Sequence, residues 1–360
     1  MVFYKIKKPN SLIKKIIAGV VICLILGLAT YIIWSKIQNK TNVISQNATT
    51  KENTSSGNSC PITLIDSDNA NNGKILNKSP NDIYGDLPIP QNNQLINPNA
   101  NLVFDGWWNE SNGGQRIGPG TDIICHSQLY GRWITKQSLI NANIGVPILM
   151  FHYFTAKANN STINANYQLA SDFDKQMKYL HDNNYYYPSW TELSAFIDGK
   201  LALPKKSVMV TDDDNEISWY ETGVPIINKY KIYATMFCIT GSWWETRQKS
   251  PSKYIMQRSH TNGMHSPENG NFIGYMINLP ADKIARDLEK SAAKLGVKQV
   301  LAYPAGEYND EVKKGVRSAG FDMAVTTQSG VVKIGTNKLE LPRIRMSYGQ
   351  ELTSFIADVN

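Results

Sequence analysis

Thr211-Asp212-Asp213-Asp214-Asn215 and His260-Thr261-Asn262-Gly263-Met264-His265 put an acidic cluster and a histidine pair in one chain. Two histidines and one carboxylate can hold a divalent ion while leaving positions open for water and a substrate carbonyl. A neighbouring carboxylate that does not bind the ion can then take a proton from that water. Together these residues could hydrolyse an amide. Asp clusters also cap helices and fill turns, and single histidines are common on surfaces. Against that ordinary reading, Val208-Met209-Val210-Thr211 is an apolar, β-branched run that predicts a buried strand, so the acids follow its C-terminal end, where α/β folds place their chemistry. The chain also has only five histidines, and two of them fall within six residues.

The elements that must position these groups begin near residue 145. Val146–Phe151 predicts a strand, and Phe173, Met177 and Leu180 mark a helix by their spacing. A second helix is centred on Leu193, Phe196 and Ile197, and the acid-bearing strand follows. A helix over 222–230 leads to a strand over 232–240. Ile284, Leu288 and Leu295 mark a helix stopped by Gly296, before a strand at Gln299–Tyr303. Val312, Val316 and Ala319 mark another, closed by Gly320, before a strand at Phe321–Thr326. Alternating strands and helices of these lengths imply parallel pairing with right-handed crossovers, an α/β domain of barrel type over 145–360.

The N-terminal part reads differently. Ile16–Trp34 is an uncharged apolar run long enough to cross a hydrocarbon layer of about 30 Å as one helix. Lys5, Lys7, Lys8, Lys14 and Lys15 precede it, so 1–15 is expected in the cytoplasm and everything after Trp34 outside the cell membrane. A cleaved signal peptide is the competing reading, but the run is long for one and Tyr31-Ile32-Ile33-Trp34 is not a small-residue cleavage site. The net charge of +7 does not indicate nucleic acid: the first 40 residues hold seven lysines and no acid, and setting those aside leaves 30 basic against 30 acidic residues. The segment 35–100, rich in Asn, Ser and Thr, predicts a disordered tether. Residues 101–144 form an aromatic-containing extension, with Phe104, Trp107, Trp108, Tyr130 and Trp133 either packing on the main domain or facing sugar. Cys23 lies in the apolar run and Cys238 in a strand, which leaves Cys60 and Cys125 available to pair outside the cell, although position along a chain does not establish proximity.

The ordered set of motifs resembles one family. Val210-Thr211-Asp212-Asp213-Asp214-Asn215 is similar to the T-F-D-D-G motif of the NodB-homology polysaccharide deacetylases, carbohydrate esterase family four. Val146–His152, Tyr230–Phe237 and Ser259–His265 resemble its successive strands and histidine motif, while Ala302–Asn309 and Leu341–Met346 resemble the poly-N-acetylglucosamine de-N-acetylase branch. The resemblance implies a distorted (β/α) barrel, Asp213 as catalytic base, and Asp214, His260 and His265 as ligands of a divalent ion, zinc with nickel or cobalt as alternatives. It further implies an extracellular N-acetylglucosamine polymer or cell-wall glycan as substrate, with acetate released.

Departures from the pattern shape the remaining expectations. Asp212 stands where the family has Phe and Asn215 where it has Gly, so the strand must end or kink for Asp213 and Asp214 to act together. The five-residue histidine spacing requires a loop, which Gly263 would make inexpensive, with Thr261 bonding locally. The arginine expected before Tyr303-Pro304-Ala305 is missing, and Arg343 is either its replacement or a surface ion pair. The Ala305 N–H is expected to face the oxyanion. No histidine follows His265, so His152 is the candidate general acid. His181 reads as a surface residue. Trp243, Trp244 and Tyr308 are candidates for stacking on sugar rings. Two other functional classes fit some of these residues: a membrane-tethered glycan-binding protein without catalysis, and an iron oxygenase using the same ligand types.

Overall fold

A computed structural model of the chain describes residues 59–66, 73–90, 101–157, 166–241, 250–265 and 270–360. Ser59–Asn360 form one compact unit. The apolar run 16–34 and the tryptophans at 243 and 244 lie outside the described residues. No helix among the described residues is long and apolar enough to cross a membrane.

Seven strands make the central sheet, in the spatial order Met323–Val325, Val300–Ala302, Ile255–Ser259, Ala234–Cys238, Met209–Asp212, Val146–Phe151 and Val331–Val332, with Ile344–Arg345 also paired to Val146–Phe151. All pairings are parallel except that of Val331–Val332. The open side of this curled sheet is bridged by one irregular segment: Leu341 pairs with Val325, and three residues later Ile344 pairs with Leu149. The result is the distorted barrel expected. In register, Phe151 lies beside Asp212, Asp212 beside Met236, and Ser259 between Cys238 and Leu301. His152, Asp213 and His260, each one residue past these positions, therefore emerge along one edge.

Helices Ala170–Asp182, Trp190–Ile197, Val224–Tyr230, Ala281–Leu295 and Asp310–Ser318 form where the apolar spacing places them. Ser189 and Glu192 close a reciprocal capping box on the second of these, and Gly296 ends the fourth in the left-handed conformation.

The boundary of the proposed tether is corrected. Cys60–Ile65 and Lys74–Lys78 are strands, not linker, in a four-stranded sheet with Leu102–Trp108 and Gln128–Thr135. Cys60, Ile62 and Leu64 alternate inward, a short strand signal that the polar composition of its surroundings masks. A disulfide joins Cys60 to Cys125, and Cys238 is free and buried. Residues 101–144 pack on the barrel: Phe104 and Trp107 belong to the same buried cluster as Val146, Trp190 and Val208. The Phe104 carbonyl accepts from Ala202 N–H at 2.8 Å. Arg116, almost fully buried, donates to the Ala202 carbonyl, lies over the Tyr186 ring and faces Glu192 at 3.9 Å.

Candidate metal centre

The acidic strand stops where its chemistry begins. Asp213 N–H still bonds to the Phe151 carbonyl, but Asp214 and Asn215 have φ of 79° and 44°, a left-handed kink that ends the alternation of faces. Asn215 tolerates this conformation and its side-chain oxygen accepts from Ile239 N–H, anchoring the kink to the next strand. The kink lets Asp213 and Asp214 border one cavity of about 260 Å³, together with His152, His260, His265 and Ala305.

Asp214 Oδ1 lies 3.3 Å from His260 Nε2 and 3.3 Å from His265 Nε2. Tetrahedral bonds of about 2.0–2.1 Å would separate such ligand atoms by about 3.3 Å. Oδ1 is buried without a hydrogen-bond partner, whereas Oδ2 accepts from the Tyr153 hydroxyl at 3.0 Å. The Ala302 carbonyl lies 2.8 Å from His260 Nδ1 and fixes the tautomer that turns the Nε2 lone pair toward Asp214. An orphaned carboxylate oxygen facing two imidazole nitrogens fits a divalent cation. The charges agree with that reading. Burial opposes ionisation of Asp214, yet the two imidazoles hold it far below the carboxylate range. Burial disfavours a charged His260, but Asp214 and Asp213 outweigh it and raise its pKa, while burial and the neighbouring His260 push His265 down to about 4. Only one imidazole at a time can meet that carboxylate as a cation, a conflict that a metal ion removes.

The histidine loop follows Ile255–Ser259, a strand not assigned from the sequence. Its turn is made by Thr261 at φ 69°, not by Gly263, whose φ is not positive. Thr261 Oγ1 accepts from His265 N–H at 3.2 Å, and Asp287 accepts from the N–H groups of Asn262 and Gly263 at 2.7 and 2.8 Å. Gly241 fits the loop closely: a Cβ there would sit 2.0 Å from the Asn262 carbonyl oxygen.

Arg343 is not a surface residue. It is 1% exposed, donates to both oxygens of Asp213 at 2.8 Å, and is held by the Thr326 carbonyl at 2.8 Å. Burial would raise Asp213, but this guanidinium holds it at about 2. His152 Nε2 lies 3.9 Å from Asp213 Oδ2, and burial keeps the imidazole below its ordinary pKa, hence neutral. Ala305 borders the cavity in a left-handed turn, φ 55° and ψ 8°. Asp212 points away from Asp213, its partners in register being Phe151 and Met236, and both its oxygens are buried without a hydrogen-bond partner. His181 is exposed. Tyr308 stacks on Tyr303 with ring centroids 5.3 Å apart and is not in the cavity wall. Tyr153, Asn166, Phe272, Ile273 and Arg345, none singled out from the sequence, are in that wall. Phe272 stacks on the His265 ring at 4.2 Å.

Residues 200–324, which contain this acid cluster and both histidines, match the polysaccharide deacetylase family model. This is a polysaccharide deacetylase domain. The chain is 29% identical over 201 residues to the poly-beta-1,6-N-acetyl-D-glucosamine N-deacetylase of Staphylococcus aureus, covering 51% of this chain and 69% of that protein. It is 27% identical over 214 residues to YxkH of Bacillus subtilis, covering 58% and 74%. Among solved structures, the Streptococcus pyogenes deacetylase PplD in complex with acetate superposes with a TM-score of 0.52 at 25% identity, over 61% of this chain and 99% of that one. A Bacillus cereus polysaccharide deacetylase shares the fold, with a TM-score of 0.51 at 17% identity over 84% and 90%. The deacetylase domain is that of a hydrolase acting on N-acetyl amides.

Proposed function

We propose that this deacetylase removes N-acetyl groups from an N-acetylglucosamine polymer outside the cell, using a divalent ion, zinc in the first instance, and that 16–34 anchors it in the membrane. The observation that carries the catalytic reading is the Arg343-clamped Asp213 beside the Asp214, His260 and His265 cluster. The polymer is suggested by the relative from Staphylococcus aureus. The anchor and the location rest on the apolar run and its lysines.

Asp214, His260 and His265 would hold the ion, which when bound acidifies water and polarises the amide carbonyl. Asp213, kept ionised by Arg343, accepts the proton from the attacking water. As the water oxygen bonds to the carbonyl carbon, the Ala305 N–H donates to the developing oxyanion. His152 is neutral at rest, so the proton it gives to the departing nitrogen reaches it from Asp213, 3.9 Å away. Cleavage of the C–N bond leaves acetate and a free glucosamine amine.

Acetate release from β-1,6-linked and β-1,4-linked acetylglucosamine oligomers tests this. Wild type is expected to release acetate, to stop on chelation and to recover with added zinc. Asp213→Asn should keep its metal by elemental analysis but lose about 100-fold or more in rate, and Asp214→Asn should lose the metal too. Glycan binding with no acetate release under any metal would replace the enzyme reading with that of a binding protein.

A further inference from the structure

Tyr153 opens a short ribbon on the wall of the catalytic cavity. Tyr153–Thr155 pairs in parallel with Tyr167–Leu169, and the Tyr153 N–H donates to the Asn166 carbonyl at 3.0 Å. One residue on, Phe154 is buried against Phe151, Phe173 and Trp219, and its N–H donates to the Ser218 hydroxyl at 2.9 Å. Alternation along the strand turns Tyr153 the other way, into the cavity, where its ring centroid lies 5.2 Å from that of Tyr167. Main chain and ring are thus held by contacts that do not involve the hydroxyl. The hydroxyl itself donates to Asp214 Oδ2 at 3.0 Å.

The two oxygens of Asp214 are used differently. Oδ1 is buried without a hydrogen-bond partner and faces His260 Nε2 and His265 Nε2 at 3.3 Å each, so it is the oxygen offered to an ion. Oδ2 is taken up by the phenol. A carboxylate can bind an ion through one oxygen or through both. The second mode would occupy a position that water or the amide carbonyl needs. To bring Oδ2 to the ion, Asp214 would have to break its bond from Tyr153, which has an ionised acceptor and is therefore of the stronger kind.

We propose that Tyr153 is a positioning residue of the metal centre: its hydroxyl holds Asp214 to one-oxygen ligation and so keeps a coordination position open for the substrate carbonyl. This rests on the metal-dependent deacetylase reading and deepens it, since the three ligands alone do not set how many oxygens the carboxylate gives. The role needs the hydroxyl and not the ring, which separates it from packing.

The test uses Tyr153→Phe, which keeps the ring, with Tyr167→Phe as a control that removes a hydroxyl from the same ribbon. Cobalt replaces zinc as the probe, because its visible absorption weakens as its coordination number rises. In Tyr153→Phe those bands should weaken, and kcat for acetate release from an acetylglucosamine oligomer should fall about 10–100-fold while KM changes far less. Tyr167→Phe should match wild type in both. In wild type alone, the infrared difference between cobalt-loaded and metal-free protein should show a carboxylate whose antisymmetric and symmetric stretches are widely separated, the mark of one-oxygen binding. That measurement tests the proposal even if the variant folds poorly. A narrow separation in wild type, unchanged cobalt bands or an unchanged kcat in Tyr153→Phe, or the same losses in Tyr167→Phe, would overturn the role of Tyr153. Failure of wild type to retain cobalt, or to release acetate when loaded, would instead overturn the reading beneath it.

Discussion

Asp213 carries a charge in a place where burial forbids one, and Arg343 is the reason. Arg343→Met would leave that carboxylate buried without a counterion, so stability should fall by about 3–5 kcal/mol, read by denaturant unfolding. In the wild type the folded pKa of about 2 lies below the unfolded value, so the pair's contribution is present above about pH 4 and is lost as pH falls toward 2. In the variant Asp213 should ionise only at higher pH, and the acidic limb of the kcat/KM profile should move upward. Asp212 is the reverse case. Burial and the neighbouring Asp213 and Asp214 raise its pKa well above normal, and its oxygens have no hydrogen-bond partner. The folded state holds this proton more tightly than the unfolded chain, so the penalty is absent below about pH 4 and grows as pH rises above it. Asp212→Leu should therefore stabilise the protein by about 1–3 kcal/mol at neutral pH, seen as a higher Tm.

At the scale of elements, the histidine loop depends on a helix that touches no metal. Asp287, on Ala281–Leu295, is buried enough for its pKa to rise, yet its two oxygens hold the N–H groups of Asn262 and Gly263. Asp287→Ala should loosen the loop and weaken metal affinity about 10–100-fold, by chelator competition, while the rate at saturating metal changes far less. This support was not legible in the sequence, because nothing in the spacing of Asp287 marks it as facing a loop 24 residues earlier. What the sequence does display are the amphipathic helices, whose apolar positions repeat, and the strands that are continuous apolar runs. Ile255–Ser259 escaped because Gln257 and Arg258 interrupt it; the structure explains them through Arg258, whose guanidinium bonds to Gln299. Val331–Val332 and Ile344–Arg345 are too short to carry a period. The acids and histidines of the site stand out by type and clustering. Tyr153, Phe272 and Arg345 do not, since aromatic and basic residues occur everywhere and only the curl of the sheet selects these.

For the whole molecule, the N-terminal sheet and the barrel share one core. Glu192 is part-buried against Tyr186 and Arg116, and Phe104 and Trp107 belong to the same buried cluster as the barrel residues. A chain starting at 145 would leave Glu192 without Arg116 and expose that apolar surface, so it should aggregate, whereas one starting at 59 should fold. Protease applied to intact cells should accordingly release an active fragment starting before Cys60, and protection of the domain until lysis would refute the proposed outside location. The Cys60–Cys125 disulfide ties the ends of that sheet across 65 residues. The Leu341–Arg345 segment, finally, sets the order in which the protein can become an enzyme. It joins the last strand of the curl to the first and brings in the only guanidinium that meets Asp213 among the described residues. A nascent chain emerges from its N-terminus, so the acid cluster and both histidines are made well before their counterion. Until Leu341–Arg345 has been made, the ribosome holds a polypeptide with every proposed metal ligand present but its base unpaired, and a product cut short before Leu341 should be inert from birth.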